Sequence, residues 1–379
     1  MKRNVLCAIL VAMSFTPPVI ATNAFAAAVG GDDSFALSAN AAVDRVAQDD
    51  GFYGAILIAR GNRVLLRKAV GFSDRARNIR NMPDTKFPIE SVTKQFTATA
   101  ILLLIQDGKL SLSDNISKYY PDIPDSWRNI TIQNLLTHSS GIVDCKCAIS
   151  NFQSYKDFVT LSKDTPLAFT TGTGFLYSNA GYALLTAVIE RVSGQSYASF
   201  MNSRIFSPLG MHNTGYGAIP GDPVKGYIRS LSSEHEEWKS GGPARIETEG
   251  GFGGIFSTLD DMLIWNLALA DHKILSAASQ RAMFTDYGHN YGFGWRFASK
   301  FGQKLVWHTG SDPNAGYASI VDRFPDENLT IVALTNNTGM TASTATLTIE
   351  GKKTTFPAIA AREAVEQVEN LYFTGTIPK

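Results

Sequence analysis

Cysteine is scarce in this chain, with three in 379 residues, at positions 7, 145 and 147. Cys7 lies in an N-terminal segment expected to be removed, too early in its apolar run to carry a lipid. Cys145 and Cys147 are one residue apart, so a bond between them would close a strained ring. No histidine stands near them in sequence to complete a metal site. The fold must therefore be stable without crosslinks, even in an oxidising compartment. Excess charge is also missing: 34 Lys and Arg balance 34 Asp and Glu. That gives no support to nucleic-acid or anionic-membrane binding. Past the first segment no run reaches the ~18 apolar residues of a membrane span, so no stable membrane insertion is expected. Three chemical signatures are absent as well. There is no G-x-S-x-G elbow. His235-Glu236-Glu237 lacks the second histidine of a zinc protease. Gly250-Gly251-Phe252-Gly253-Gly254 lacks the spacing and the lysine of a nucleotide loop, and reads as a tight turn before a helix.

What is present begins with an export signal. Lys2 and Arg3 precede an apolar run from Val5 to Phe15, and Ala24-Phe25-Ala26 supplies small residues for cleavage after about Ala26. Residues 1–26 are thus expected to be a signal peptide, and the mature protein, 27–379, to be periplasmic or secreted. Without Lys2 and Arg3 its net charge is about −2. Its length suffices for a large core split between two structural units.

The pattern along the chain is mixed. A helix is expected around Ala41 to Gln48. Gly54–Ala59 and Arg63–Gly71 read as a β-hairpin turning at Gly61-Asn62. From Ser91 to about Leu209 the pattern is helical, with helices at Tyr182–Val192 and Tyr197–Ile205. Another helix starts at Ser257, capped by Ser257 with Asp260 or Thr258 with Asp261, and runs to about Ala270. Strands are expected at Gly292–Phe297, Lys304–His308, Ala318–Val321 and Leu329–Thr335, and a last amphipathic helix at Pro357–Glu369. Strands at both ends and helices between them imply an α+β, three-layer α/β/α architecture. It would be an antiparallel sheet flanked by helices, with an inserted all-helical unit. The sheet unit would cover about 41–85 and 215–379, and the helical unit about 86–214.

Three short segments carry chemistry. In Ser91-Val92-Thr93-Lys94 a serine and a lysine stand one helical turn apart, ahead of an apolar helix. A serine hydroxyl is scarcely ionised at neutral pH, and a desolvated lysine on the same face can activate it without a histidine. Pro88 places Ser91 near a helix N-terminus, where free N–H groups favour an anionic oxygen. About one S-x-x-K is expected by chance in such a chain, so the motif alone is weak. Tyr177-Ser178-Asn179 offers a phenol for proton transfer and an amide clamp. His308-Thr309-Gly310 closes a strand and can serve as an edge on which an extended substrate docks. The bland readings are an N-cap serine with a solvated lysine, a buried tyrosine with a turn asparagine, and a plain strand end. All three segments in this order, each in fitting context, outweigh them.

With these motifs in place, the chain resembles the serine β-lactamase and penicillin-recognising group, and within it class C β-lactamases, D,D-peptidases and related esterases. The resemblance runs from about Gly54 to Thr335. It includes Phe87–Leu110, Ile130–Ile142, Leu209-Gly210-Met211, Gly254–Trp265 and Tyr291–Trp295. It implies Ser91 as the nucleophile of an acyl-enzyme, with Lys94 and Tyr177 sharing the proton transfers and either one the acylation base. It implies Asn179 as a clamp on Lys94 or the substrate amide, and His308, Thr309 and Gly310 as the cleft-lining strand. The oxyanion hole would be the N–H groups of Ser91 and Ser311. No metal or other cofactor is implied.

One departure matters. Class C β-lactamases carry lysine where this chain has His308, and histidine, with an ordinary pKa near ~6.5, is mostly neutral at pH 7. The expected activity is therefore that of a D,D-carboxypeptidase, D-peptidase or esterase. A true β-lactamase, or a penicillin-binding sensor that does not turn over, is the alternative. Cell-wall peptides, esters or β-lactams are the expected substrates, and a monomer the expected state. His138 is expected to be a structural hydrogen-bonder near the cleft, and His212, His272 and His289 to lie on the surface.

Overall fold

The computed structural model describes residues 22–49, 51–144, 154–231, 236–242, 244–338, 340–349 and 352–377. Most of the expected signal segment, residues 1–21, lies outside the described residues, as do Cys145, Cys147 and His235.

The frame is a helix α1 (Thr22–Asp49), strands β1 (Gly54–Arg60) and β2 (Arg63–Val70), and helices α2 (Thr93–Gln106), α3 (Asn179–Ser193) and α4 (Leu259–Ala270). Strands β3 (Arg296–Lys300), β4 (Gln303–Asp312), β5 (Tyr317–Phe324), β6 (Leu329–Thr335), β7 (Met340–Ile349) and β8 (Lys352–Ile359) follow, then helix α5 (Ala360–Thr374). The strands form one sheet in the order β8-β7-β3-β4-β5-β6-β1-β2. Every neighbouring pair is antiparallel.

Period-2 alternation divides the sheet between two cores. Ile56, Ile58, Ile320 and Ile331 meet Val43 and Val46 of α1 and Ala361 and Val365 of α5. Ala55, Leu57, Val321, Val332 and Leu334 face the other way, onto the core that holds Phe96 of α2 and Met262 and Trp265 of α4. That is the three-layer α+β arrangement the sequence implies. Truncating a fully buried residue such as Leu57 to alanine would cost about 2–5 kcal/mol.

Helix α2 is buried from Thr93 to Leu104, polar residues included. Such a helix is tolerated because its polar groups are bonded. Thr97 Oγ1 donates to Gly251 O at 2.7 Å, and Gln95 Oε1 accepts from Trp265 Nε1 at 3.0 Å. A small sheet of Gly215–Tyr216, Ile255–Ser257 and Phe87–Pro88 leads the chain into the turn before α2.

Several boundaries differ from expectation. The strand expected at Gly292–Phe297 begins only at Arg296. Tyr291–Trp295 instead turns against α2, with Gly294 at φ +74°, where a Cβ would come within 2.7 Å of Lys94 O. The expected helix at Pro357–Glu369 is shifted to Ala360–Thr374, because 352–359 forms a strand paired with 340–349. That hairpin is threonine-rich and lacks the apolar alternation by which strands are read. The first helix is longer than Ala41–Gln48, and Thr258, accepting from Asp261 N, is the cap of α4. Gly250–Phe252 is a turn, but it leads into the strand Ile255–Ser257 rather than straight into a helix. No helix among the described residues is long and apolar enough to cross a membrane.

Candidate active site

Ser91 lies in a single 3-10 turn, Glu90–Val92, that runs directly into α2. The residue two before it is held from both sides. Ile89 N–H donates to Ile255 O at 2.9 Å, and Ser319 Oγ donates to Ile89 O at 2.6 Å. Strand β4 passes over this turn so closely that a Cβ on Gly310 would come within 2.3 Å of Ile89 O. Glycine is required there by the approach of two backbones.

Lys94 is fully buried. Its Nζ lies 3.0 Å from Ser91 Oγ, 2.8 Å from Asn179 Oδ1 and 2.8 Å from Phe252 O. The last two atoms can only accept, so they take two N–H bonds of the lysine. The third direction points at Ser91 Oγ. In the ammonium form it carries a proton, and in the amine form it is the lone pair. The geometry can therefore pass a proton between Ser91 and Lys94 without moving either backbone.

Asn179 is the first residue of α3, and Ser178 caps that helix by accepting from Gly181 N–H. Asp144 fastens the same helix end, accepting from Ser178 Oγ and from the N–H groups of Asn179 and Ala180, each at 2.9 Å. A carboxylate at a helix N-terminus is favoured by the unsatisfied N–H groups. Tyr177, just before the cap, holds its ring 4.8 Å from Lys94 Nζ and 4.4 Å from the His138 ring. Among the described residues none hydrogen-bonds its hydroxyl. His138 is buried, and its Nδ1 accepts from Ser178 N–H at 3.1 Å. Burial, with Lys94 and Arg296 adding to it, holds its pKa well below the usual value. It is a structural acceptor, as expected, while His212, His272 and His289 are exposed.

The third motif is only partly as expected. His308 is buried with both ring nitrogens engaged, Nδ1 at 2.7 Å from Thr309 O and Nε2 at 3.1 Å from Tyr291 OH. A neutral tautomer with hydrogen on Nδ1 satisfies both contacts. Burial, then Arg296 and Lys94, push its pKa well below 6.5. So the ring is neutral and props Tyr291, and has no free nitrogen for a substrate. Past Trp307 strand β4 has lost its β3 neighbour, while Thr309, Gly310 and Ser311 still pair with Ile320, Ser319 and Ala318 of β5. That leaves one strand edge, beside Ser91, available for backbone bonding.

The structure thus brings Ser91, Lys94, Tyr177, Asn179 and the 309–311 edge together. Sequence reasoning missed Phe252 O, Asp144 and Arg296. The Arg296 guanidinium sits 5.2 Å from the Tyr177 ring centre, 5.4 Å from that of Tyr291 and 5.6 Å from that of Trp307. It is a permanent positive charge in the neighbourhood of the neutral His308. A backbone carbonyl has no sequence signature. Arg296 could have been noticed as the charged residue directly after Tyr291–Trp295.

A serine and a buried lysine meeting between a helical unit and an antiparallel sheet are the arrangement of a serine hydrolase that uses no histidine base. The chain belongs to the Beta-lactamase family, which it matches over residues 39–353. Penicillin-binding protein 4* of Bacillus subtilis (strain 168) is 29% identical over 311 residues, covering 75% of this chain and 68% of that one. The crystal structure of a penicillin-binding protein from Bacillus halodurans superimposes with TM-score 0.71 at 28% identity, covering 87% of this chain and 98% of that chain. The D-amino acid amidase of Ochrobactrum anthropi SV3, complexed with L-phenylalanine amide, has TM-score 0.68 at 25% identity over 80% of this chain and 92% of its own.

Proposed function

We propose that this protein is an exported serine hydrolase that cleaves amides or esters through an acyl-enzyme at Ser91, of the D,D-carboxypeptidase, D-peptidase or esterase type. The observation that carries the reading is the triple hold on Lys94 Nζ by Ser91 Oγ, Asn179 Oδ1 and Phe252 O. Lys94 as amine takes the Ser91 proton while Oγ attacks the substrate carbonyl. The negative oxygen is met by the N–H groups of Ser91 and Ser311. Lys94 and the hydroxyl of Tyr177 return a proton to the leaving amine or alcohol, and water then releases the acid and frees Ser91. Two carbonyl acceptors and one hydroxyl that can donate as well as accept suit a lysine that changes its protonation state during each turnover.

Substrate preference follows from charge. His308 offers no cation, so a carboxylate on the substrate is left to Arg296, whose guanidinium lies on the Tyr177 side of the cleft. The resemblance to penicillin-binding proteins and to a D-amino acid amidase supports amide substrates. Intact-mass measurement after a fluorophosphonate or penicillin should show one adduct, absent in Ser91→Ala. Absence of any adduct on the unaltered chain would refute the reading. Rates with a p-nitrophenyl ester, nitrocefin and a D-Ala-D-Ala peptide rank the substrates, with nitrocefin expected to be slow beside the ester. Fast nitrocefin turnover would make the protein a true β-lactamase. Export is tested by the N-terminal residue of the mature protein, expected near residue 27.

A further inference from the structure

The chemistry above makes no use of Glu90, although it directly precedes Ser91. Glu90 and Glu249 are both buried, at 4% and 9% exposure. Their carboxyl groups hydrogen-bond each other. Glu90 adopts φ +50°, a left-handed conformation that residues other than glycine seldom take. Such strain persists only where surrounding contacts impose it. The contacts are evident. A Cβ on Gly310 would come within 2.7 Å of Glu90 Cβ, and one on Gly253 within 2.0 Å of Glu249 Oε2. The carboxyl pair therefore joins three pieces: the turn that carries Ser91, strand β4 at Gly310, and the Gly250–Gly254 loop. That loop supplies the Phe252 carbonyl that holds Lys94.

We propose that Glu90 and Glu249 form a positioning pair sharing one proton, whose hydrogen bond fixes the Ser91 turn to the loop that holds Lys94. This rests on the acyl-enzyme reading of Ser91. Two buried carboxylates at hydrogen-bond distance cannot both be ionised without strong repulsion. Burial, then the charge of Glu249, raises Glu90 far above the ordinary carboxylate range, so Glu90 keeps the proton and donates it. Glu249 is itself raised, to about 7, by burial and by Asp312 of β4, against the opposing pull of Lys94 from α2 and of Arg245. Of the nearby phenols, Tyr317 donates to Val224 O at 2.8 Å and Tyr216 to Glu247 O at 3.3 Å, so neither hydroxyl supplies the pair with a proton. One proton in the pair holds the turn. Loss of that proton on the alkaline side sets two like charges against each other and releases it.

The test uses the whole protein and the variants E90Q, E249Q and E249A. Fluorophosphonate uptake by Ser91 is followed against pH, together with the infrared band of a protonated carboxyl in protein labelled with carbon-13 glutamate. The band is expected at neutral pH in the unaltered protein and weakened in E90Q, with buried Glu369, itself raised to about 8, supplying part of what remains. E249A leaves Glu90 buried without its partner and should be acylated about tenfold more slowly, through misplacement of the nucleophile. E249Q keeps a hydrogen-bonding partner but removes one charge. It should recover much of that loss and show no alkaline fall in rate, since an ionised Glu90 would face a neutral amide that can donate to it. The proposal is overturned if E249A and E249Q share the rate and pH profile of the unaltered protein, or if E90Q leaves the band undiminished. It is also overturned if E249Q is as slow as E249A with the same loss of thermal stability, since the pair would then be packing only. A protein that shows the band but takes up no probe would refute the hydrolase reading and not the shared proton.

Discussion

Two buried cationic centres in this protein are built in opposite ways. Under α5, Arg362 is paired with Asp322, and Lys300 donates to Glu366 at 3.1 Å and to Glu369 at 2.6 Å. Burial lowers the pKa of Lys300, but the two glutamates outweigh it and the net shift is upward. Beside Ser91, Lys94 is more deeply buried than Lys300, yet every described atom that hydrogen-bonds it is an uncharged oxygen. The first centre fixes its cations as cations and ties a helix to the sheet. The second withholds a direct counter-ion and puts its nearby carboxyls, Glu90 and Glu249, in a pair that bonds to itself. The proton transfer proposed for Lys94 calls for the second arrangement, because a carboxylate partner favours the charged form of a lysine.

The largest expected effect isolates this difference. Lys94→Met should cut probe uptake by about a thousandfold, the scale of a lost general acid–base group, while leaving stability level or raised. Uptake kinetics and urea unfolding check both halves, and a large loss of stability would erase the contrast. The converse is Asp322→Ala, which leaves Arg362 buried and unpaired. It should cost about 3–5 kcal/mol in urea unfolding with uptake per folded molecule unchanged.

A smaller effect comes from pH. His138 and His308 are held well below 6.5 in the folded state, chiefly by burial. Above pH 6.5 both states carry them neutral and this part of the stability is complete. Below it the unfolded chain binds protons that the native site refuses, so stability falls by about 1.4 kcal/mol per pH unit for each histidine. Urea midpoints at pH 7 and pH 5.5 should differ less in His308→Asn than in the unaltered protein, and equal differences would mean that His308 titrates freely. The smallest effect is on recognition. Arg296→Ala should raise KM about tenfold for substrates with a carboxylate and leave a neutral ester nearly unaffected.

Much of this was legible along the chain. Ser91 and Lys94 are a helical turn apart, and a short-range spacing survives folding unchanged. The hairpin β1–β2 and strands β5 and β6 show plainly because each contributes to a buried sheet whose residues are strongly apolar. The β7–β8 hairpin was hidden by its threonines, and the Tyr291–Trp295 turn by aromatic residues that read as strand. The sequence expects His308 to be mostly neutral and burial acts in the same direction, but its place behind Tyr291 depends on a neighbour 17 residues away.

By itself the sequence determined the fold class, the nucleophile candidate and its lysine, and the lack of a cation at position 308, because these depend on residue type and near spacing. Only the tertiary structure decided what surrounds Lys94. Asn179, 85 residues on, and Phe252 O, 158 residues on, reach it through packing of α3 and the glycine loop. The same holds for Glu249 opposite Glu90 and for Arg296 over Tyr177. Electrostatic environment is a sum over neighbours in space, and the order of residues along the chain does not contain it until the chain has folded.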